Sequence, residues 1–287
     1  MIVITGASGN VGTHVVAELA QRGLAVRALT RSPASARPAI KNVEWVGADF
    51  AEAKSLAAAM KGASKVVLIT PAHPQMRAHQ EALVAAAVTA GVKRIAKLSG
   101  LGAGPDAPIR LPQEHFAIEQ CIVASGVAHS FVRPNLFMQV LLGSADSIRD
   151  DGVFYAPAGD AKISLTDARD VASVLVHEVL RDDGVNAIRE ITGPDALSYA
   201  DAAELLGQAV GKQIHYVAVA PDTARQAMTG SGMDPWLAEA FLELFEIYRA
   251  GHGTTVLAEA VKASTGHQAR DFAHFAEDYR AMLVQAA

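Results

Sequence analysis

Through its first half the chain alternates short apolar runs with longer segments whose apolar residues recur every three or four positions. The runs fall at residues 2–4, 25–29, 43–46, 65–69, 94–98 and 129–132. They are nearly continuous rather than alternating in polarity, which predicts strands covered on both faces. The segments between them carry a single apolar face, as with Val15, Val16 and Leu19 after the first run. Gly23, Gly62, Gly91 and Gly126 each stand where a helical pattern stops and a strand pattern begins, the place glycine favours just beyond a helix end. Strand and helix in regular alternation predict an α/β fold, a doubly wound parallel sheet of the Rossmann kind.

After Pro134 the alternation lapses. Ile163-Ser164-Leu165 and a helical pattern over 168–180 read as a return to the sheet. The expected Rossmann domain is therefore 1–134 plus 161–189. The remainder, 135–160 plus 190–287, reads as a smaller C-terminal α/β substrate lobe, with helices over 199–210, 235–249 and 273–284 and a strand over 213–219. Phe241, Leu244, Phe245 and Tyr248 recur at helical spacing and read as lobe core. No Gly/Pro-rich linker separates the two parts, so a cleft at the carboxyl ends of the strands is the expected ligand site.

The join between the first strand and first helix is unusual. Thr5-Gly6-Ala7-Ser8-Gly9-Asn10-Val11-Gly12 spaces three glycines as G-x-x-G-x-x-G. Between a strand and a helix, such a loop suits a dinucleotide: one glycine for the tight turn, one for backbone approach to a pyrophosphate, one for close helix–strand packing. Gly6, Ala7, Ser8, Gly9, Asn10, Val11 and Gly12 are thus candidate cofactor contacts. At the end of the second strand, where an NAD-binding chain usually places an acid, stands Arg31. A guidanidinium there suits a 2′-phosphate, which favours NADP(H); the alternative is a solvated surface arginine. Arg37 is a second candidate. Asp49 and Phe50 follow the third strand, Asp49 either accepting from an adenine amino group or capping a helix over 51–60. Thr70 and Pro71 end the fourth strand on the expected path of the cofactor.

Bulk properties narrow the classes. Net charge is −5, from 25 basic and 30 acidic residues, and no basic stripe suits nucleic acid. The single cysteine, Cys121, precludes an internal disulfide and lies in a helical pattern with Ile118 and Ile122, which predicts a buried, inert thiol. A strand beginning at residue 2 leaves no room for a signal peptide, and no apolar run is long enough for a membrane span, so a cytoplasmic location is expected. The histidines show no metal-ligand spacing, and no metal is expected. Monomer and homodimer are both open.

These motifs resemble the extended and atypical short-chain dehydrogenase/reductase superfamily, and within it the NmrA-like branch. The glycine loop carries the resemblance, with Arg31, Gly47-Ala48-Asp49-Phe50, Lys97-Leu98-Ser99-Gly100, His115 with Glu119, Arg133-Pro134-Asn135-Leu136-Phe137-Met138, Ile191-Thr192-Gly193-Pro194 and Tyr248-Arg249-Ala250-Gly251. It spans essentially the whole chain. Members nearest in pattern include NADPH-dependent quinone oxidoreductases and triphenylmethane reductases, and the family also includes nucleotide-sensing regulators. The superfamily's usual Tyr-x-x-x-Lys pair is replaced here by His115 and Glu119, four apart on one helix face. The resemblance places Ser99 as a cofactor contact and Asn135 beside the nicotinamide amide. Phe137, Met138 and Tyr155 are candidates for an apolar acceptor pocket, with plain core as the alternative for each. Without the Tyr/Lys pair, ordinary alcohol dehydrogenation is not expected. Hydride transfer from NADPH to a quinone or similar electron-poor aromatic acceptor is, with positioning as the main catalytic device. His115 would donate a proton, and Glu119 would bond the nicotinamide ribose or orient His115; the pair is otherwise structural. The alternative is an NADP(H)-binding redox sensor that regulates a partner.

Overall fold

The computed structural model describes residues 1–31 and 38–284; Arg37 lies outside them. The chain divides into two compact units, 1–134 with 171–190, and 135–170 with 191–287.

The first unit runs β1 (Ile2–Ile4), α1 (Gly12–Gln21), β2 (Val26–Thr30), β3 (Val43–Gly47), α2 (Ala53–Met60), β4 (Lys65–Leu68), α3 (Met76–Thr89), β5 (Arg94–Leu98), α4 (Arg110–Ala124) and β6 (Ala128–Pro134). The six strands predicted by the apolar runs are all present, within a residue or two at their ends. They join one seven-stranded sheet in the order β3-β2-β1-β4-β5-β6-β8. The order reverses between β1 and β4, which both pair in parallel and in register, Ile2 with Val26 on one side and Lys65 on the other. A crevice at the carboxyl ends of strands beside such a reversal is where open α/β sheets bind ligands. Ile2, Val3, Ile4, Val66, Val67 and Leu68 are all buried, which accounts for the unbroken apolar runs.

The seventh strand corrects the sequence reading. Ile163-Ser164-Leu165 does not rejoin the sheet: Ile163 makes an isolated bridge with Leu197. Residues 161–170, expected in the first unit, fall in the second. The edge position is taken instead by β8 (Ala187–Ile191). As a half-exposed edge strand, it lacks the continuous apolar signature of its neighbours. Cys121 is partly exposed rather than buried.

The second unit holds α5 (Ala145–Asp151), preceded by a 3-10 segment at Met138–Ser144, and β7 (Val153–Ala156). α6 (Ala168–Leu180) begins in it and continues into the first unit. After β8 come α7 (Tyr199–Val210), β9 (His215–Ala218), α8 (Pro221–Gly230), α9 (Pro235–Arg249), α10 (Glu259–Thr265), α11 (Phe272–Asp278) and α12 (Arg280–Leu283). β7 and β9 form a separate parallel pair, with Tyr155 opposite Val217. The expected helix over 273–284 breaks at Tyr279, whose ring packs on Phe275 at 4.8 Å and under the Arg169 guanidinium at 5.4 Å. Phe154, Tyr199, Phe245 and Tyr248 form a chain of edge-on aromatic contacts at 5.9–6.3 Å, so Phe245 and Tyr248 of the α9 stripe are core and Leu244 packs against it, whereas Phe241 is partly exposed. Among the described residues no helix is long and apolar enough to cross a membrane.

Candidate functional site

The loop after β1 is fixed from below by Thr5. Its hydroxyl donates to the Ile69 carbonyl at 2.6 Å and accepts from the Ile69 N–H at 2.8 Å, tying the ends of β1 and β4 together. Gly6 then turns at φ +59, where a Cβ would lie 2.7 Å from the Ile69 carbonyl oxygen. At Gly12 a Cβ would fall 2.1 Å from the Gly6 oxygen and 2.8 Å from the Ala7 Cα. The fold itself therefore demands glycine at both positions. Gly9 differs: its Cβ would meet only the Gly6 oxygen, at an ordinary 3.4 Å, and it is exposed with Ser8 and Asn10. Nothing in the protein explains a glycine there, whereas a ligand approaching the backbone would. The N–H groups of Asn10, Val11 and Gly12 have no acceptor among the described residues, and they stand at the positive end of α1. This donor set fits a pyrophosphate.

Arg31, just beyond β2, is exposed with no acidic partner among the described residues. Asp49 takes neither expected form cleanly. Its Oδ1 accepts from the Ala51 N–H at 2.8 Å, closing the turn ahead of α2, while Glu52 holds the N-cap position. The Phe50 ring meets His79 edge-on at 6.3 Å, and His79 stacks on His73. Thr70 accepts from the buried Gln80 amide at 2.7 Å, and Pro71 is exposed.

A second group gathers around the ends of β5, β6 and α4. His115 and Glu119 share a face of α4 as predicted, yet they serve different partners. Glu119 is 1% exposed. Its Oε1 accepts from the Ser99 hydroxyl at 2.6 Å and from Arg133 Nε at 3.0 Å, and its Oε2 accepts from Arg133 Nη2 at 2.5 Å. That bidentate pair holds the Arg133 guanidinium well above its usual range, helped by Glu190 at 3.2 Å. The expectation that Glu119 orients His115 is replaced by this arrangement.

His115 is held by Lys97. The Lys97 side chain is fully buried; its Nζ donates to the Leu98 carbonyl at 3.0 Å and lies 2.9 Å from His115 Nδ1. Burial pulls the ammonium down to about 7, with Glu119 opposing and Arg133 assisting. Burial, then Lys97, then Arg133 hold the imidazole well below its usual range, so His115 is neutral. A charged Lys97 can only donate to Nδ1, which puts the ring hydrogen on Nε2. The Cδ2–Nε2 edge lies against Gly100, where a Cβ would come within 3.0 Å of Cδ2 and 3.5 Å of Nε2. In the sequence Lys97 and Arg133 stand out only as members of the Lys97–Gly100 and Arg133–Met138 segments. The signal was available: each is a charge inside a strand covered on both faces, where an ion requires a buried partner.

Lys97 also gives stability a pH slope. Its folded value of about 7 lies well below that of a lysine in the unfolded chain. Between these the unfolded chain binds more protons, so stability rises with pH across that window. Lys97→Met removes the slope and raises stability on the acid side relative to the alkaline side; denaturant unfolding at acid, neutral and alkaline pH measures it.

In the second unit Asn135 is 7% exposed and saturated. Its Oδ1 accepts from the Tyr248 hydroxyl at 2.7 Å and the Leu136 N–H at 2.9 Å, while its Nδ2 donates to the Ser164 hydroxyl at 3.0 Å and the Gly253 carbonyl at 3.4 Å. With both donors and both lone pairs engaged, the side chain is a clamp within this unit and has no capacity left for a nicotinamide amide. Met138, expected in an acceptor pocket, belongs to the unit's hydrophobic core at 2% exposure. Phe137 is partly exposed and Tyr155 is 56% exposed. No group of three His, Cys, Asp or Glu among the described residues is arranged to hold a metal ion.

A parallel sheet reversing at a glycine loop with free N–H groups defines a dinucleotide-binding protein. The model of the NmrA-like family matches residues 1–279, and the chain belongs to that family. It is 39% identical over 287 residues to an NAD(P)H azoreductase of Xenophilus azovorans, covering 100% of both chains. It is 30% identical over 279 residues to quinone oxidoreductase 2 of Escherichia coli (strain K12), covering 91% of this chain and 97% of the other. The crystal structure of an NADPH-dependent quinone oxidoreductase from Escherichia coli complexed with NADPH superposes with a TM-score of 0.82 at 26% identity, covering 97% of this chain and 99% of that one.

Proposed function

We propose that this protein is an NADPH-dependent reductase of quinones, azo compounds or similar electron-poor aromatic acceptors. It is an NAD(P)H-dependent oxidoreductase, in keeping with whole-length relatives named NAD(P)H azoreductase and quinone oxidoreductase. The observation that carries the reading is the glycine loop, whose unpaired N–H groups and open Gly9 have no use within the protein.

Bound NADPH supplies a hydride. The N–H groups of Asn10, Val11 and Gly12 would hold its pyrophosphate, with Ala7 and Ser8 completing the loop, and Arg31 would hold the 2′-phosphate. Asp49, Phe50, Thr70, Pro71 and Ser99 would supply the remaining cofactor contacts. His115 donates from Nε2–H to the oxygen or nitrogen that becomes negative on reduction. Glu119 fixes Ser99 and Arg133 and transfers no proton. Phe137 and Tyr155 keep accessible aromatic surface in the second unit. An acceptor so easily reduced needs only modest acid assistance, so the protein's main work is to hold donor and acceptor in place.

Arg31→Asp weakens NADPH binding by roughly 10- to 100-fold, the worth of a charge-assisted phosphate contact, and leaves NADH binding little changed; calorimetry with both nucleotides checks this. Turnover is tested by NADPH consumption with a panel of benzoquinones, naphthoquinones and azo dyes, in which acceptor-dependent loss is the expected result.

A further inference from the structure

We propose that Lys97 is a positioning residue that sets which nitrogen of His115 carries the ring hydrogen, and so whether the Nε2 edge gives or takes a proton. The inference rests on the reductase reading for its catalytic use but not for its structural content.

The geometry is specific. Lys97 Nζ has two acceptor-side neighbours, the Leu98 carbonyl and His115 Nδ1. Among the described residues the carboxylate acting on Lys97 is Glu119 on α4, and it is consumed by Ser99 and Arg133. Arg133 on β6 is itself paired to Glu119 and to Glu190 on β8. Lys97 therefore has no ion partner of its own and shares its site with a second cation. A fully buried ammonium in that position is easily discharged.

The two states of Lys97 dictate two states of His115. As an ammonium, Lys97 donates to Nδ1, and the ring hydrogen sits on Nε2 at the Gly100 side. As a neutral amine, Lys97 accepts from Nδ1–H, and Nε2 presents a lone pair. When the acceptor has taken hydride and become an anion, Nε2–H passes its proton to that anion while the ammonium passes one to Nδ1. The acceptor gains one hydride and one proton, Lys97 ends neutral, and the ring stays neutral with its hydrogen moved to Nδ1. Lys97 recovers that proton, and Nε2 is reprotonated by solvent.

The first test needs no cofactor. Nitrogen NMR of histidine-labelled protein, with the His115 signals assigned from a His115→Gln sample, reports the tautomer directly. The expected result is an Nε2–H ring at acid pH that converts to Nδ1–H as pH rises through about 7. A single tautomer from acid to alkaline pH, or a ring that becomes cationic near its ordinary pH, overturns the proposal. The second test is kinetic. In the wild type, kcat falls with rising pH through the same range. In Lys97→Met that limb disappears and kcat at acid pH falls by about 10- to 100-fold, with KM for NADPH unchanged. A variant that keeps the wild-type pH limb also overturns it. If the tautomer switches but no acceptor is reduced, the positioning role stands and the reductase reading is what fails.

Discussion

Gly12→Ala weakens cofactor binding and destabilises the fold together. The added methyl would sit 2.1 Å from the Gly6 carbonyl oxygen and 2.8 Å from the Ala7 Cα. Both obstacles are backbone, so no side-chain rotation relieves them. The loop must shift, at a cost of about 1–3 kcal/mol or more for overpacking, and the N–H groups at the start of α1 leave their aligned positions. Losing two charge-assisted hydrogen bonds weakens NADPH binding by at least about 100-fold. Gly9→Ala is the control that separates the two effects. Its Cβ makes only an ordinary contact inside the protein, so the thermal midpoint stays near that of the wild type while affinity falls. Calorimetric titration and thermal unfolding of both variants check the pair.

Glu119→Ala has the second large effect. It strips Arg133 of its bidentate partner and leaves the Ser99 hydroxyl without its acceptor. The Arg133 side chain is only 10% exposed, and its remaining partner, Glu190, is 42% exposed and held by one contact. Removing one member of a buried pair costs about 3–5 kcal/mol because the other charge stays uncompensated. Lys97 loses its only favourable charge at the same time, so its discharge moves to still lower pH. Glu119→Gln, which keeps an acceptor for Ser99, costs less. Denaturant unfolding of the two variants ranks them, and equal losses would show that the carboxylate charge, rather than the hydrogen bond to Ser99, dominates.

The parts of this structure that were legible in the sequence share a physical cause. Strands β1, β4 and β5 lie inside the sheet, so their apolar runs are continuous and stand out. The glycine loop is legible because its backbone geometry excludes other residues at Gly6 and Gly12. The edge strand β8 was not legible, since Ile188 faces solvent at 52% exposure and Arg189 reaches the buried Glu178, giving a mixed pattern. Ile163-Ser164-Leu165 misled for the opposite reason: a short apolar run buried in the second unit looks the same as one buried in the sheet. Within the site, His115 and Glu119 were found from helical spacing, but their partners were not, because the His115–Lys97 and Glu119–Arg133 contacts join a helix to strands and are set by how α4 packs on the sheet. Likewise nothing local marks Asn135 as saturated: Tyr248 and Gly253 lie more than a hundred residues away.

The central claim is that the chain transfers hydride rather than merely holding NADPH. A single-turnover experiment tests it: enzyme loaded with stoichiometric NADPH, mixed rapidly with a benzoquinone or azo dye, with and without deuterium at the transferring carbon. The predicted result is acceptor-dependent loss of NADPH absorbance, slowed by the deuterium label. Tight NADPH binding with no oxidation by any acceptor would contradict the account and leave a nucleotide-binding sensor in its place.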